Sequence, residues 1–216
     1  MPNAHIYPLS RLVHAGPRAW QRMLTEIEEG TSYASRYYQP VREAVVQLTA
    51  ARGRGADAIV AEIKTQVRNA GGPRWANRLS DNVNAFEAFK ADFLPRIARF
   101  RKSFLREKKG GCEFGGLVLS GGPHFEVIDN AARIRHVFLY VAKWSSKDLA
   151  AYLELLGLII EEEYGGDPTT LWVMDLRQGE DLKWRSNAGM RRRCKDTAQL
   201  YSRFLNAMAN GQASNP

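Results

Sequence analysis

The feature that most constrains the fold is a change in the spacing of apolar residues near position 110. Before Lys109-Gly110-Gly111, apolar side chains recur every three or four residues, as they do along one face of an amphipathic helix. After this point, short runs rich in β-branched and aromatic residues follow, which is typical of strands. The sequence therefore predicts an α+β protein, with a helical N-terminal half packed on a small mixed sheet.

Four helices are predicted in the first half, at residues 17–30, 40–51, 56–70 and 80–104. Pro17 suits the first turn of the first helix, and Ser80 suits the N-cap of the longest one. Pro95 is expected to kink the long helix, because proline has no backbone N–H to donate. The apolar stripe of this helix is interpreted as core, and it consists of Val83, Phe86, Phe89, Phe93, Ile97, Phe100 and Phe104.

The second half is predicted to follow the order α-β-β-β-α-β and to end in a helix. Three strands, at 113–119, 124–128 and 134–142, are close enough to form an antiparallel meander. A helix begins at Ser145 or Ser146 and ends near Gly165. The remaining elements are a strand at 171–176, a short return at 181–184 and a last helix at 187–208. Residues 1–79 and 80–216 are expected to form one continuous unit, since no Pro/Gly/Ser-rich linker separates them.

Composition bears on partners and location. The 31 Lys and Arg residues exceed the 23 Asp and Glu residues, which gives a formal charge of +8 and favours polyanionic partners. Cys112 and Cys194 lie far apart and are expected to be reduced thiols. The N-terminus has neither the basic nor the apolar region of a signal peptide, and the longest apolar stretch is too short to span a membrane. We therefore expect a cytoplasmic protein with no membrane partner.

Residues 80–184 resemble the PD-(D/E)xK nuclease-like fold in this order of elements. In that family, an acid at the start of the second strand and a (D/E)xK triplet on the third strand bind a divalent metal. Pro123 matches the proline of the motif, but His124 stands where the first acid is expected. Val141-Ala142-Lys143 keeps the lysine and lacks the acid. The motif is therefore degenerate in this chain.

What the resemblance implies is a set of substitute residues. Lys143, Glu126 and Glu154 would be catalytic, and Glu126 and Asp129 would hold Mg²⁺. Glu154 lies on the helix that follows the third strand, where it would act as a displaced carboxylate. A competing placement uses Asp175 with the triplet Asp181-Leu182-Lys183 on the last hairpin, although these residues belong to the fourth strand and its return.

Basic clusters are the other candidate site. The predicted phosphate contacts are Arg191, Arg192, Arg193, Lys195, Lys183, Arg106, Lys108 and Lys109, with Trp184 suited to stack on a base. The alternative interpretation of these cations is a soluble helix face or a favourable helix C-terminus.

Two functional classes follow from these features. The first is a nucleic-acid-associated protein that binds the phosphate backbone of DNA or RNA, with metal-dependent phosphodiester cleavage if the acids hold Mg²⁺. The second is a catalytically inactive protein-interaction or regulatory module, in which the helical half docks a protein partner. The charge excess and the fold resemblance favour the first class, whereas the missing acids favour the second.

Overall fold

The fold is described here from a computed structural model, which describes residues 3–15, 20, 37–72, 74–100, 102–104, 111–141 and 145–209. The first half contains β1 (Asn3–His5), α1 (Ile6–Leu12), α2 (Gln39–Ala50), α3 (Ala56–Ala70), α4 (Trp75–Ala88), a π-helical turn (Phe89–Phe93) and α5 (Leu94–Ile97). The second half contains β2 (Lys102–Phe104), β3 (Gly111–Phe114), β4 (Leu117–Ser120), β5 (Phe125–Ile128), β6 (Ile134–Tyr140), α6 (Ser146–Tyr164), a 3₁₀ turn (Pro168–Thr170), β7 (Leu171–Asp175), β8 (Glu180–Leu182) and α7 (Ala188–Ala209). The helix predicted at 17–30 lies outside the described residues, except for Trp20.

The larger of two sheets has five strands in the order β2-β5-β6-β7-β8. Its neighbours are antiparallel except for β6 and β7, which run parallel because the long helix α6 crosses between them. The smaller sheet has the order β1-β4-β3. These findings confirm the α+β class, the α-β-β-β-α-β order and the C-terminal helix.

The strand predicted at 113–119 was wrong, because the chain reverses in the middle of it. Phe114 pairs with Leu117 across a two-residue turn, and the turn residues Gly115 and Gly116 have φ values of +59° and +80°. Such a turn needs positive φ at both positions, which glycine adopts without strain. A Cβ on Gly115 would also lie only 2.7 Å from the Cβ of Ala198 on α7. The result is the β3–β4 hairpin of the smaller sheet.

The long helix predicted at 80–104 also required correction. Helical structure ends at Ile97, and residues 102–104 form β2, which pairs with β5 at the edge of the larger sheet. The predicted meander was therefore wrong in its first strand, because β2 stands beside β5 and the chain at 113–119 belongs to the smaller sheet. The predicted disturbance at Pro95 is present as the π-helical turn just before it, where the N–H of Leu94 donates to the carbonyl of Phe89 five residues back. Proline lacks the N–H that regular winding would use, and a widened turn adjusts to this loss.

Two apolar cores lie on opposite faces of the five-stranded sheet. One face contributes Val127, Val137 and Leu139 to a core shared with α2, α3 and α4, which includes the fully buried Phe86 and Phe89. The other face packs against α1, α6, α7 and the smaller sheet. The interpretation of the phenylalanine stripe as core is confirmed for Phe86, Phe89, Phe93 and Ile97. Within the described part of the chain, no helix is long and apolar enough to cross a membrane.

Asn82 of α4 is a buried polar residue that joins α2 to α4. Its side-chain oxygen accepts a hydrogen bond from the N–H of Val41 at 3.1 Å, and its nitrogen donates to the carbonyls of Tyr37 at 2.9 Å and Arg78 at 2.8 Å. The N-cap residue of α2, Tyr38, makes no side-chain capping bond. Asn82 therefore caps α2 from a neighbouring helix.

We expect Asn82→Ala to lower the free energy of unfolding by about 3 kcal/mol, because buried backbone groups lose their partners. Urea denaturation measures this change. Asn84→Ala is the matched control, since Asn84 lies on the same helix but is exposed, and it should change stability by less than about 0.5 kcal/mol. Equal effects of the two substitutions would contradict the capping role.

Candidate functional site

Glu126 is fully buried on β5, directly opposite His136 of β6. Glu126 Oε1 lies 2.7 Å from His136 Nδ1, and the His136 ring lies 4.9 Å from the ring of Tyr164 on α6. Glu126 was predicted to be catalytic and to bind a metal. Its carboxylate instead lies against the His136 side chain, which packs against α6.

Asp129 closes the turn between β5 and β6. Its Oδ1 accepts hydrogen bonds of 2.9 Å from the N–H groups of Ala131 and Arg133, and its Oδ2 accepts one of 3.0 Å from Arg133 Nε. These hydrogen bonds, led by the one from the backbone of Arg133, lower the pKa of Asp129. Glu126 and Asp129 thus belong to separate hydrogen-bond groups and do not form the predicted magnesium pair. Among the described residues, no group of three His, Cys, Asp or Glu side chains is placed to hold a metal ion.

Glu154 and Arg191 were predicted to act in different sites, and the structure pairs them with each other. Arg191 Nε donates to the buried Glu154 Oε1 at 2.7 Å, and Arg191 Nη1 lies 2.9 Å from Glu161 Oε2. Glu154 Oε2 also accepts from the N–H of Asn187 at 3.3 Å. This cluster fastens the start of α7 to α6, so Glu154 is not beside Glu126 as a catalytic acid and the charge of Arg191 is used within the protein.

Six more of the predicted phosphate contacts divide equally between the described and the undescribed residues. Arg192, Arg193 and Lys195 are exposed on the first turns of α7. Lys143, which the nuclease resemblance implies as catalytic, lies outside the described residues, and so do Arg106, Lys108 and Lys109.

We expect Arg191→Ala to lower the free energy of unfolding by about 3 kcal/mol, because it leaves the buried Glu154 carboxylate without its cation. Thermal or urea unfolding measures the loss. Arg192→Ala removes the same charge from the next position and should change stability by less than about 0.5 kcal/mol. If both variants are equally stable, the assignment of Arg191 to a structural ion pair is incorrect.

His124, for which the nuclease resemblance implies an acid, extends the pairing of β5 with β6. Its N–H donates to the carbonyl of Val137 at 2.8 Å, and its Nδ1 accepts from the N–H of Leu139 at 3.1 Å. Burial, together with Arg42 and His5, lowers the pKa of His124 to about 3. The imidazole is therefore neutral near pH 7 and acts as a hydrogen-bond acceptor for the strand.

This neutral imidazole makes stability depend on pH in a defined direction. In the unfolded chain His124 takes up a proton near pH 6.5, whereas the folded protein resists protonation until about pH 3. The unfolded state binds more protons in this window, so the free energy of unfolding should fall as the pH decreases through it, by at most about 1.4 kcal/mol per pH unit for this group.

We expect His124→Asn to flatten this dependence, because the asparagine oxygen can accept from Leu139 but does not titrate. The measurement is urea denaturation at a series of pH values between about 3 and 6.5, compared with the unsubstituted protein. An unchanged slope would contradict the assignment of His124 as an imidazole that stays neutral in the folded protein.

A cleft with a volume of about 420 Å³ lies at the β8 edge of the larger sheet. It is lined by three cations, one carboxylate and several aromatic side chains. These residues are Arg96, Phe100, Arg135, Pro168, Thr169, Leu171, Trp172, Asp181, Leu182, Lys183 and Trp184. Two of the predicted nucleic-acid contacts, Lys183 and Trp184, are therefore neighbours in this cleft.

Arg96 and Trp172 form one wall of the cleft, and Asp181 holds them together. Arg96 donates to both oxygens of Asp181, at 3.0 and 2.5 Å, and Trp172 Nε1 donates to Asp181 Oδ1 at 2.9 Å. The guanidinium carbon of Arg96 lies 5.0 Å from the centre of the Trp172 ring. Burial raises the pKa of Asp181, but the hydrogen bonds from Arg96 and Trp172 outweigh it and the pKa is lowered. Asp181 is therefore ionised near neutral pH and neutralises Arg96.

The competing placement of the metal site used Asp175 together with the Asp181-Leu182-Lys183 triplet. The contacts of the two aspartates contradict it. Asp175 Oδ1 accepts hydrogen bonds from the N–H groups of Arg177 and Gln178 at 2.9 and 3.3 Å and so closes the β7–β8 turn. Asp181 is engaged by Arg96. The two carboxylates do not share a site, and the triplet instead lines the cleft.

Sequence reasoning missed Arg96, Arg135 and Trp172 as parts of one site, because they come from α5, β6 and β7. The available signal was local: Trp172 and Trp184 flank a hairpin that carries Asp181 and Lys183. This signal indicates an aromatic and charged hairpin, but it does not identify which helix covers it.

Comparisons with protein-family models, with curated proteins and with solved structures found no match.

Proposed function

We propose that the protein binds nucleic acid through a basic surface, which we define as Lys183, Arg185, Arg192, Arg193 and Lys195. The observation that carries this proposal is the contrast within the arginine run. The charge of Arg191 is used against Glu154 and Glu161, whereas the basic surface is exposed and forms no ion pair with any described residue.

The start of α7 is fixed in place, which favours binding. Asn187 caps the helix by accepting from the N–H of Met190 at 2.9 Å, and its own N–H donates to Glu154. Arg191 adds the ion pairs to α6. A phosphate bound by Arg192 and Arg193 would therefore meet a backbone that is already ordered, so less conformational entropy is lost on binding.

The charge distribution indicates a polyanion as the ligand. In the stretch 192–196, Asp196 is the one acid against Arg192, Arg193 and Lys195. The formal charge of the whole chain is +8. Cations on consecutive positions of an exposed helix suit several phosphates along a backbone, and they carry little information about base sequence.

The proposal is binding without cleavage. Cleavage of the nuclease type needs carboxylates gathered on a metal, and Glu126, Asp129 and Glu154 are each engaged by a different set of protein groups. Binding should therefore be the same with and without Mg²⁺, and the nucleic acid should stay intact. Magnesium-dependent cleavage that is lost in Lys143→Ala would replace this proposal by the nuclease hypothesis.

The test is a titration of labelled nucleic acid at several salt concentrations. We expect affinity to fall steeply with salt, and the triple variant Arg192→Gln, Arg193→Gln, Lys195→Gln to weaken binding at low salt by at least about tenfold. The salt slope should become shallower by roughly 2 units for a single strand, because each lost phosphate contact contributes about 0.7.

The matched control removes equal charge elsewhere. Lys64, Arg68 and Arg74 are exposed on and near α3 in the helical layer, and their triple replacement by Gln should leave the salt slope unchanged. Equal loss in both triple variants would mean that net charge alone attracts the nucleic acid. A flat salt response of the unsubstituted protein would instead favour a protein partner.

A further inference from the structure

The indole of Trp184 is seated against a glycine in the middle of α6. A Cβ built on Gly157 would lie 2.4 Å from Trp184 Nε1 and 3.0 Å from Cε2, so the indole occupies the space that any other residue at position 157 would need. We call this contact the glycine notch. Gly157 is itself buried. Glycine in a helix interior is unfavourable by roughly 1 kcal/mol relative to alanine, and the notch provides a structural reason for it here.

The notch orients Trp184 as a wall of the cleft. The pyrrole edge of the ring faces α6, and Nε1 is buried without a hydrogen-bond partner among the described residues. The side chain as a whole is only half-buried, and it lines the cleft beside Lys183 and Arg135. An aromatic surface held by packing alone, with cations next to it, suits a flat ligand that carries a negative charge.

The geometry points to an unpaired nucleobase as the occupant of the cleft, stacked on Trp184 with its phosphate at Lys183 and Arg135. This inference rests on the proposed function and deepens it, because it predicts a preference for single strands. Bases in a duplex are stacked inside the helix and cannot enter a cleft in the protein, whereas single strands offer exposed base faces.

The charges of the cleft agree with this occupant. The one carboxylate, Asp181, is neutralised by Arg96, so Lys183 is left to supply positive charge, and Arg135 adds guanidinium donors while it shares its charge with Asp129. Arg135 is held in the cleft wall by its hydrogen bond to the carbonyl of Thr169 at 3.3 Å and by Asp129 at 3.5 Å. Lys183 is exposed and directly precedes Trp184 in the chain, so a base and its own phosphate can be bound by adjacent residues.

The experiment compares an oligothymidylate with a duplex of the same number of phosphates, at one salt concentration, for the unsubstituted protein and its variants. We expect the single strand to bind more tightly and to quench tryptophan fluorescence. Trp184→Ala should lower the ratio of single-strand to duplex affinity about five- to a hundredfold, which is the effect of losing one stacked base. Trp184→Phe retains an aromatic ring and should recover most of that ratio.

Gly157→Ala is a second variant that changes neither charge nor the tryptophan. It fills the notch and displaces the indole, so it should lower the same ratio while leaving the salt slope intact. Circular dichroism and thermal unfolding establish that each variant is folded, and the comparison of Trp184→Ala with Trp184→Phe carries the test if Gly157→Ala does not fold.

The outcomes separate this inference from the proposed function. If the two ligands bind equally and Trp184→Ala leaves their ratio unchanged, the base site is overturned, whereas salt-dependent binding through Arg192, Arg193 and Lys195 stands. If the ratio falls in Trp184→Ala and recovers in Trp184→Phe, the base site is supported. If neither ligand binds at low salt, both proposals are overturned.

Discussion

Burial of the larger sheet on both faces is the constraint on which the rest of the structure depends. In β6, Val137 and Leu139 face the helical layer, whereas Phe138 and Tyr140 face the layer of α6 and α7, and all four are buried. A strand that is apolar on both faces must be packed on both sides, because leaving either face in water would lose much of the free energy gained by burying it. The two layers end at the edge strand β8, which is largely exposed. The cleft lined by Trp172, Asp181 and Trp184 lies at this edge of the sheet.

The same burial decides what the carboxylates do. A charged group removed from water is unfavourable unless cations or hydrogen-bond donors surround it. Glu126 lies against His136, Glu154 accepts from Arg191 and Asn187, and Asp175 accepts from the backbone of its own turn. A metal site would need several of these carboxylates to converge instead. Their separate pairing therefore follows from where the strands and α6 bury them.

The sequence predicted those parts of the fold that depend on local pattern. The apolar period identified α2, α3 and α6, and the N-cap of α6, predicted at Ser145 or Ser146, is Ser145. Gly115 and Gly116 could have revealed the β3–β4 hairpin, because two consecutive glycines between apolar runs favour a two-residue turn. Long-range partners could not be predicted: Asn82 capping α2 and Arg96 covering Trp172 both require the packed helical layer, since no local pattern specifies which helix face meets which strand.

The arginine run shows how tertiary packing gives identical residues different roles. Arg191 lies in line with Cys194, Ala198 and Tyr201, at the three- to four-residue spacing of the buried face of α7. Arg192 and Arg193 are rotated away from that line by about 100° per residue and reach solvent. The helical period alone therefore separates the inward cation from the outward ones, once the buried face is known. Glu154 and Glu161 bind the inward arginine and hold α7 against α6, while Arg192 and Arg193 remain exposed. The ion pair and the proposed phosphate contacts therefore both follow from the way in which α7 packs, with the ion pair on its inward side and the exposed cations on its outward side.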